Sequence, residues 1–216
     1  MNPGWWGAIA VVVIGAAVVW FGWWNDRRRN RAIPGGTAAA TCVTEAEIQS
    51  MPLSTGPDAD LVARCDDAAT LSAGVADAWF LRAGLAGLDH PDVLVLDADL
   101  KADGDVATLL VAAKRRGRPL VIVAPGFSPA AIGTLRANAA KGTVSTLPLH
   151  LTDAAARRRA VALTGGRLVP AEDVASGWLP TESWGACDAW LADADDSWVV
   201  VAGRGEPGDA DPRPSV

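Results

Sequence analysis

Asp92-Val93-Leu94-Val95-Leu96, answered further along by Pro119-Leu120-Val121-Ile122-Val123-Ala124, decides the fold of this 216-residue chain. Both runs are apolar at nearly every position rather than at alternate ones, so both faces of each strand must be covered. That pattern belongs to a parallel sheet buried between layers. The interval between them fits a helix over 103–116 ending at Gly117, because Val106, Leu109 and Ala113 recur at helical spacing and can face the sheet. Ala107, Leu110 and Val111 are then left beside them. Further on, a helix from Pro129 to Lys141 ends at Gly142, and Thr143 to Leu149 is a third strand. A helix from Asp153 to Thr164, capped by Thr152 or Asp153, stops at Gly165-Gly166. Gly166-Arg167-Leu168-Val169 offers a fourth strand and Trp198-Val199-Val200-Val201-Ala202 a last one. Strands alternating with helices imply an α/β fold with a central sheet covered by helices.

Toward the N-terminus, Asp58 to Ala69 is a helical candidate with Leu61, Val62 and Cys65 on one face. Thr44 and Glu47 stand in capping-box spacing at the head of a short helix running to Ser50, which Pro52 stops. Residues 32 to 41 carry few large apolar groups and read as a linker. Before them, Trp5 to Trp24 is an unbroken apolar run of 20 residues. At about 1.5 Å per residue it spans about 30 Å, the thickness of a bilayer's hydrocarbon core. Trp5 and Trp6 at one end, and Trp20, Trp23 and Trp24 at the other, sit where indole rings favour the headgroup boundary. Arg27, Arg28, Arg29 and Arg31 follow the run and no basic side chain precedes it. The positive-inside bias therefore puts the N-terminus outside and the rest of the chain in the cytoplasm, as a single-pass protein of the cell membrane. A cleaved signal peptide would want the charges on the other side of the apolar run. A core helix would seldom be apolar all round.

The expected organisation is a short segment over 1–4, a transmembrane helix over 5–24, a basic juxtamembrane segment and linker over 25–41, and a short helical region over 42–73. An α/β domain follows over 74–202. Residues 203–216 are too poor in apolar groups to pack and form a disordered tail.

A net charge of −6 argues against a nucleic-acid partner and leaves the juxtamembrane arginines to meet anionic lipid of the bilayer. Cys42, Cys65 and Cys187 are too widely spaced for a zinc site, and His90 and His150 have no ligand-like neighbours, so no metal and no cofactor is expected. The sharpest catalytic pattern is Asp97-Ala98-Asp99 at the end of the first buried strand. It resembles the opening motif of haloacid-dehalogenase phosphatases, in which one Asp attacks and the other moves protons beside Mg²⁺. The later parts do not follow, since Ala124-Pro125-Gly126 stands where Ser or Thr is wanted and Asp195-Asp196 precedes its strand. No phosphate loop and no Gly-x-Ser-x-Gly elbow is present.

Three stretches organise the domain: Lys114-Arg115-Arg116-Gly117-Arg118-Pro119-Leu120-Val121-Ile122-Val123-Ala124, Leu135-Arg136-Ala137-Asn138-Ala139-Ala140-Lys141-Gly142, and Ala160-Val161-Ala162-Leu163-Thr164-Gly165-Gly166. With them, residues 92–202 resemble the apical domain of group I chaperonins, the GroEL-like family. Thr181 to Val200 matches that family's final helix-strand-strand segment, and Gly74-Val75-Ala76-Asp77-Ala78-Trp79-Phe80 stands where it carries adjacent aromatics. The resemblance implies a groove for exposed apolar segments of other polypeptides. Carried over, it comprises Trp79 and Phe80, Ala107 and Leu110 on the first helix, and Ile132, Arg136 and Ala137 on the second. Arg136 is a cation where the family is apolar, and Ala107 and Ala137 are small, which implies weaker or different selectivity. The chain has no room for the family's ATP-binding domain. The expected function is a membrane-tethered, non-catalytic domain that binds protein segments. Its alternative is a structural or assembly module that binds one fixed partner or itself as a homo-oligomer. A Mg²⁺-dependent phosphatase using Asp97 and Asp99 is the remote third.

Overall fold

The computed structural model describes residues 59–65 and 68–201. In chain order the elements are α1 (Ala59–Ala63), β1 (Ala69–Leu71), β2 (Gly74–Val75), a 3-10 turn (Ala78–Phe80), β3 (Ala86–Asp89), β4 (Asp92–Leu96), α2 (Asp103–Arg116), β5 (Leu120–Ala124), α3 (Pro129–Ala140), β6 (Thr146–His150), α4 (Ala154–Thr164), β7 (Leu168–Val169), α5 (Ala171–Ser176), a second 3-10 turn (Thr181–Ser183), β8 (Gly185–Ala186), β9 (Ala189–Ala192) and β10 (Ser197–Val200).

The two apolar runs become β4 and β5, buried at every residue and paired in parallel from Asp92↔Leu120 to Val95↔Val123. β6 pairs in parallel on the far side of β5, and β7 in parallel on the free side of β4. β2 and β8 pair antiparallel with β6 and β4, which gives the order β2-β6-β5-β4-β7 with β8 attached to β4. Right-handed crossovers lay α2 and α3 on one face, and α4, which carries the chain back from β6 to β7, on the other. α2 packs beside α3 on one flank and α5 on the other. The layer α5, α2, α3 and the first 3-10 turn therefore follows the strand order β7, β4, β5, β6, β2.

Local chemistry sets the boundaries. Gly117 and Gly165 close α2 and α4 at φ 71° and 78°, the left-handed region that glycine enters without a Cβ penalty. Ser128 caps α3 by accepting from the Ala131 N–H, with Pro129 in the first turn. Of the two candidates for the cap of α4, Asp153 fills the role, accepting from the Ala155 and Ala156 N–H groups.

Three elements depart from expectation. The last strand, β10, belongs to a second sheet of order β1-β10-β9-β3, antiparallel throughout, and not to the parallel one. The helix expected from Asp58 to Ala69 is described only as Ala59–Ala63, with Arg64 and Cys65 in a turn and Ala69 already in β1. Leu61 alone is buried there; Val62 is 41% exposed and Cys65 half-buried, so the three do not share an inner face. Since β1 hydrogen-bonds to β10, residues 69–71 fold with the α/β body that was expected to start at residue 74. Trp190 and Val199, direct partners across β9 and β10, join the main core, while Leu61, Ala189 and Leu191 form a small cluster on the other side of that sheet. An ion pair from Arg64 to Asp89 ties α1 to β3, and the guanidinium holds the Asp89 carboxyl below its usual range.

Among the described residues no helix is long and apolar enough to cross a membrane. The span expected over 5–24, the arginines after it, the linker, the helix over 44–50 and the tail lie outside the described residues.

Candidate functional site

The inner faces of α2 and α3 are sealed against the sheet by Val106, Leu109 and Ala113 on the first helix and by Ala131 and Leu135 on the second. On α2 this is the division the helical spacing predicts. It leaves Ala107 and Val111 exposed on α2 and Leu110 half-buried, while Ala137 is half-buried on α3. Where α2 begins, the two helices are joined by Thr134 Oγ1, midway along α3, which donates to Asp103 Oδ1 at 3.3 Å. The Thr134 flank of α3 is thus the one that meets α2.

Arg136 lies about 200° further round the same helix. Its guanidinium donates to Asp77 Oδ2 at 2.5 Å, reaching the first 3-10 turn on the opposite flank of α3. Asp77 Oδ1 in turn accepts from the Trp79 N–H at 2.8 Å and caps that turn. One carboxylate therefore fixes the aromatic turn to α3. The cation expected to interrupt an apolar groove is instead paired at its margin.

The expected residues accordingly divide between two furrows. Ala107, Leu110 and Ala137 belong to the furrow between α2 and α3. Trp79, Phe80, Ile132 and Arg136 lie on the other side of α3, beside the turn. Two of these need correcting as open lining. Phe80 is 6% exposed and part of the main core, and Ile132 is 9% exposed, so neither offers free area to a ligand in this conformation. Phe80 instead supports Trp79, edge to face with centroids 5.1 Å apart, and Trp79 remains half-buried at the surface. Sequence reasoning missed Asp77 and Thr134, the two residues that orient α3. An Asp two residues before Trp79 is a side-chain-to-backbone turn signal and could have been read; Thr134 carries no local signal.

A second apolar exposure lies on the outer side of α2. Residues 171–184 run alongside that helix: Asp105 lines the same small cavity as Ala171 and Val174, Thr108 lies against Gly177, and the Arg116 guanidinium stacks 4.6 Å from the Trp184 ring centroid. Trp178 falls within this stretch at 57% exposure, with the Arg167 guanidinium 5.1 Å from its ring, and Val111 is 51% exposed. Asp92, almost wholly buried at the head of β4, takes an ion pair from Arg116 and another from Arg118 at 3.1 Å, anchoring the basic end of α2.

Asp97 and Asp99 do sit at the C-terminal end of β4, where both carboxylates are exposed and the loops beside them are tied together. The Leu100 N–H donates to Gly126 O, the Ser128 N–H to Leu100 O, and Ser128 Oγ to Lys101 O, stitching the loops after β4 and β5 together. The cavity lined by Ala98, Asp99, Asp105, Ala171 and Val174 holds about 20 Å³, room for about one water and not for a phosphate ester. Asp97 lies 3.9 Å from Arg157 Nη2, and Asp99 3.4 Å from Lys101 Nζ. Among the described residues no group of three or more His, Cys, Asp or Glu side chains converges as a metal site would require.

No protein-family model matches the chain. It is similar to the chaperonin GroEL of Mycoplasma genitalium, 26% identical over 123 residues that make up 55% of this chain and 23% of GroEL. Among solved structures it is similar to the chaperonin gp146 of bacteriophage EL 2 (Pseudomonas aeruginosa) in two crystal forms with ATP-BeFx. At 20% identity these cover 62% of this chain and 28% of that one, with TM-scores of 0.49 and 0.50. The chain thus spans about a quarter of the length of these relatives, and the similarity is that of a GroEL-like segment.

Proposed function

We propose, taking the GroEL-like segment as the premise, that this domain binds segments of other polypeptides through the furrow between α2 and α3 and the adjoining Trp79 face, without a chemical step. One observation carries the reading: two parallel helices, packed side by side with their inner faces wholly buried, leave Ala107 exposed and Leu110 and Ala137 half-buried in the furrow between them. An apolar furrow between helices is a receptor for helical or extended apolar segments. The open residues are small, so each contact contributes little, on the order of 1 kcal/mol at about 25 cal/mol per Å². Affinity for a single segment is then weak, and many copies held near one another strengthen it.

The apolar run from Trp5 to Trp24 and the arginines after it support a bilayer tether that supplies this clustering, with the domain on the cytoplasmic side. Protease protection of the full chain in sealed vesicles tests that arrangement; equal digestion of the domain on either side of the membrane, or extraction by carbonate, refutes it. For the binding function, the full chain in nanodiscs is titrated with a fluorescent unfolded polypeptide. Leu110→Asp is expected to weaken binding by about tenfold or more, since a carboxylate placed on half-buried apolar surface loses the contact and must be desolvated. Absence of binding by the unaltered chain refutes the reading.

The exposure of Trp178 and Val111 favours a second reading, a fixed interface with one partner or another copy of the chain, because an exposed tryptophan backed by a stacked arginine is a typical interface anchor. A defined oligomer in light scattering that Trp178→Ser dissolves supports it; a monomer unaffected by the change counts against it.

A further inference from the structure

We propose that the α2/α3 furrow prefers apolar segments that carry an aspartate or glutamate at one end, and that this carboxylate sets the direction in which the segment lies. The inference rests on reading the furrow as a polypeptide-binding surface. On α2 the flank toward α3 reads Asp103, Ala107, Leu110, Lys114, at spacings of four, three and four residues, which keep one stripe of a helix. On α3 the flank toward α2 repeats the spacing with Ala130, Thr134, Ala137 and Lys141. The two helices follow parallel strands on the same face of the sheet, so their C-terminal ends lie together.

The furrow therefore has unlike ends. Where α2 begins, Asp103 is bonded to Thr134, midway along α3, and the helices are bridged. At the other end, Lys114 and Lys141 are both exposed, and no carboxylate among the described residues pairs with either. Arg116, their neighbour, is by contrast committed to Asp92. Between the ends lie only the small or half-buried apolar groups. From Asp103 to Lys114 the stripe rises about 16 Å, the length of about five residues of extended chain. Counted from that bridge, Lys114 lies eleven residues on along α2 and Lys141 seven along α3, about 16 and 10 Å, so a short apolar segment that fills the stripe brings one flanking carboxylate to Lys114, with Lys141 about one turn nearer the bridge on the facing wall. Laid the other way, it brings that carboxylate to Asp103, which repels it. Charge pairs of this exposed kind add little affinity individually but discriminate between partners and orientations.

The test uses the full chain in nanodiscs and three fluorescent peptides that share one apolar five-residue core, flanked by Glu, by Gln or by Lys. At low salt the Glu peptide is expected to bind about threefold to tenfold more tightly than the Gln peptide, with the advantage shrinking as salt rises. Combined Lys114→Glu and Lys141→Glu substitution reverses the order in favour of the Lys peptide, whereas Lys114→Arg with Lys141→Arg preserves it. All these side chains are exposed, so circular dichroism of the variants should match the parent. Equal binding of the Glu and Gln peptides overturns the carboxylate preference and leaves the furrow as a polypeptide site. A Glu preference that persists in the Lys114→Glu, Lys141→Glu variant overturns the assignment to these two lysines, and its loss in the Arg variants overturns the purely electrostatic origin. Binding of none of the peptides overturns both readings.

Discussion

Replacing Asp77 by alanine should loosen the link between the aromatic turn and α3, and its cost can be built from the two jobs of one carboxylate. Oδ1 caps the turn through the Trp79 N–H, a contact worth about 1 kcal/mol. Oδ2 pairs with Arg136, and the two side chains are 22% and 21% exposed. A pair so covered falls between the exposed case, below about 1 kcal/mol, and the fully buried case, so about 1 kcal/mol is assigned to it. Asp77→Ala then costs about 2 kcal/mol. Asp77→Asn, which keeps an acceptor for the Trp79 N–H but not the charge, costs about 1 kcal/mol. Urea denaturation followed by circular dichroism measures both, and for a body of this size each kcal/mol corresponds to about 2–4 °C in Tm. A cycle combining Asp77→Asn with Arg136→Met isolates the pairing and should return a coupling of about 1 kcal/mol. If both Asp77 variants stay within about 0.3 kcal/mol of the parent, or the coupling is zero, the carboxylate is not the clamp described above.

Two further predictions concern the body of the domain. At Gly74 a Cβ would stand 1.9 Å from the Ala194 carbonyl oxygen and 2.6 Å from its carbon, both backbone, so Gly74→Ala should cost about 3 kcal/mol or more. Gly133→Ala meets nothing within 4 Å on the surface of α3 and should stabilise by about 0.5–1 kcal/mol, giving opposite signs for the same chemical change in one denaturation series. Burial, reinforced by the neighbouring Asp188 carboxylate, pushes the Cys187 thiol from 9.0 up to about 12. The native state therefore keeps a proton that the unfolded chain releases. The stability this thiol contributes is fully present below pH 9 and is lost as pH rises toward 12. At pH 8 it should resist alkylation until the chain is unfolded, as judged by mass spectrometry of the labelled peptide; rapid labelling of folded protein contradicts this.

The parallel centre of the domain was legible because its signals are local. β4 and β5 are apolar at nearly every position, α2 presents a helical stripe, and Gly117 and Gly165 punctuate the helices where a left-handed residue is needed. The antiparallel sheet was not, because β1, β3 and β9 are only 3, 4 and 4 residues long, and Ala86-Gly87-Leu88-Asp89 has neither β-branched residues nor alternation. Their pairing across more than a hundred positions, as between Ala69 and Val199, leaves no periodic trace. The resemblance to chaperonins supplied candidate binding residues one by one, but residue type does not reveal burial. Phe80 and Ile132 are apolar and turn inward, whereas Val111 and Trp178 are apolar and stay out.

By itself, then, the sequence determined that the centre of this chain is a parallel α/β layer with helices whose inner faces are sealed, since apolar patterning and glycine stops act within a few residues of where they are written. It also displays a bilayer-length apolar run and the charges beside it. Only the tertiary structure decided that α3 separates the expected site into two furrows, that Arg136 answers Asp77 across 59 positions, and that Asp103 at the start of α2 meets Thr134 while Lys114 and Lys141 stay exposed toward the C-terminal ends of the two helices. Such relations depend on which flank of a helix meets which neighbour. That is set by the order of strands in the sheet beneath and the hand of the crossovers, not by any local preference of the residues concerned.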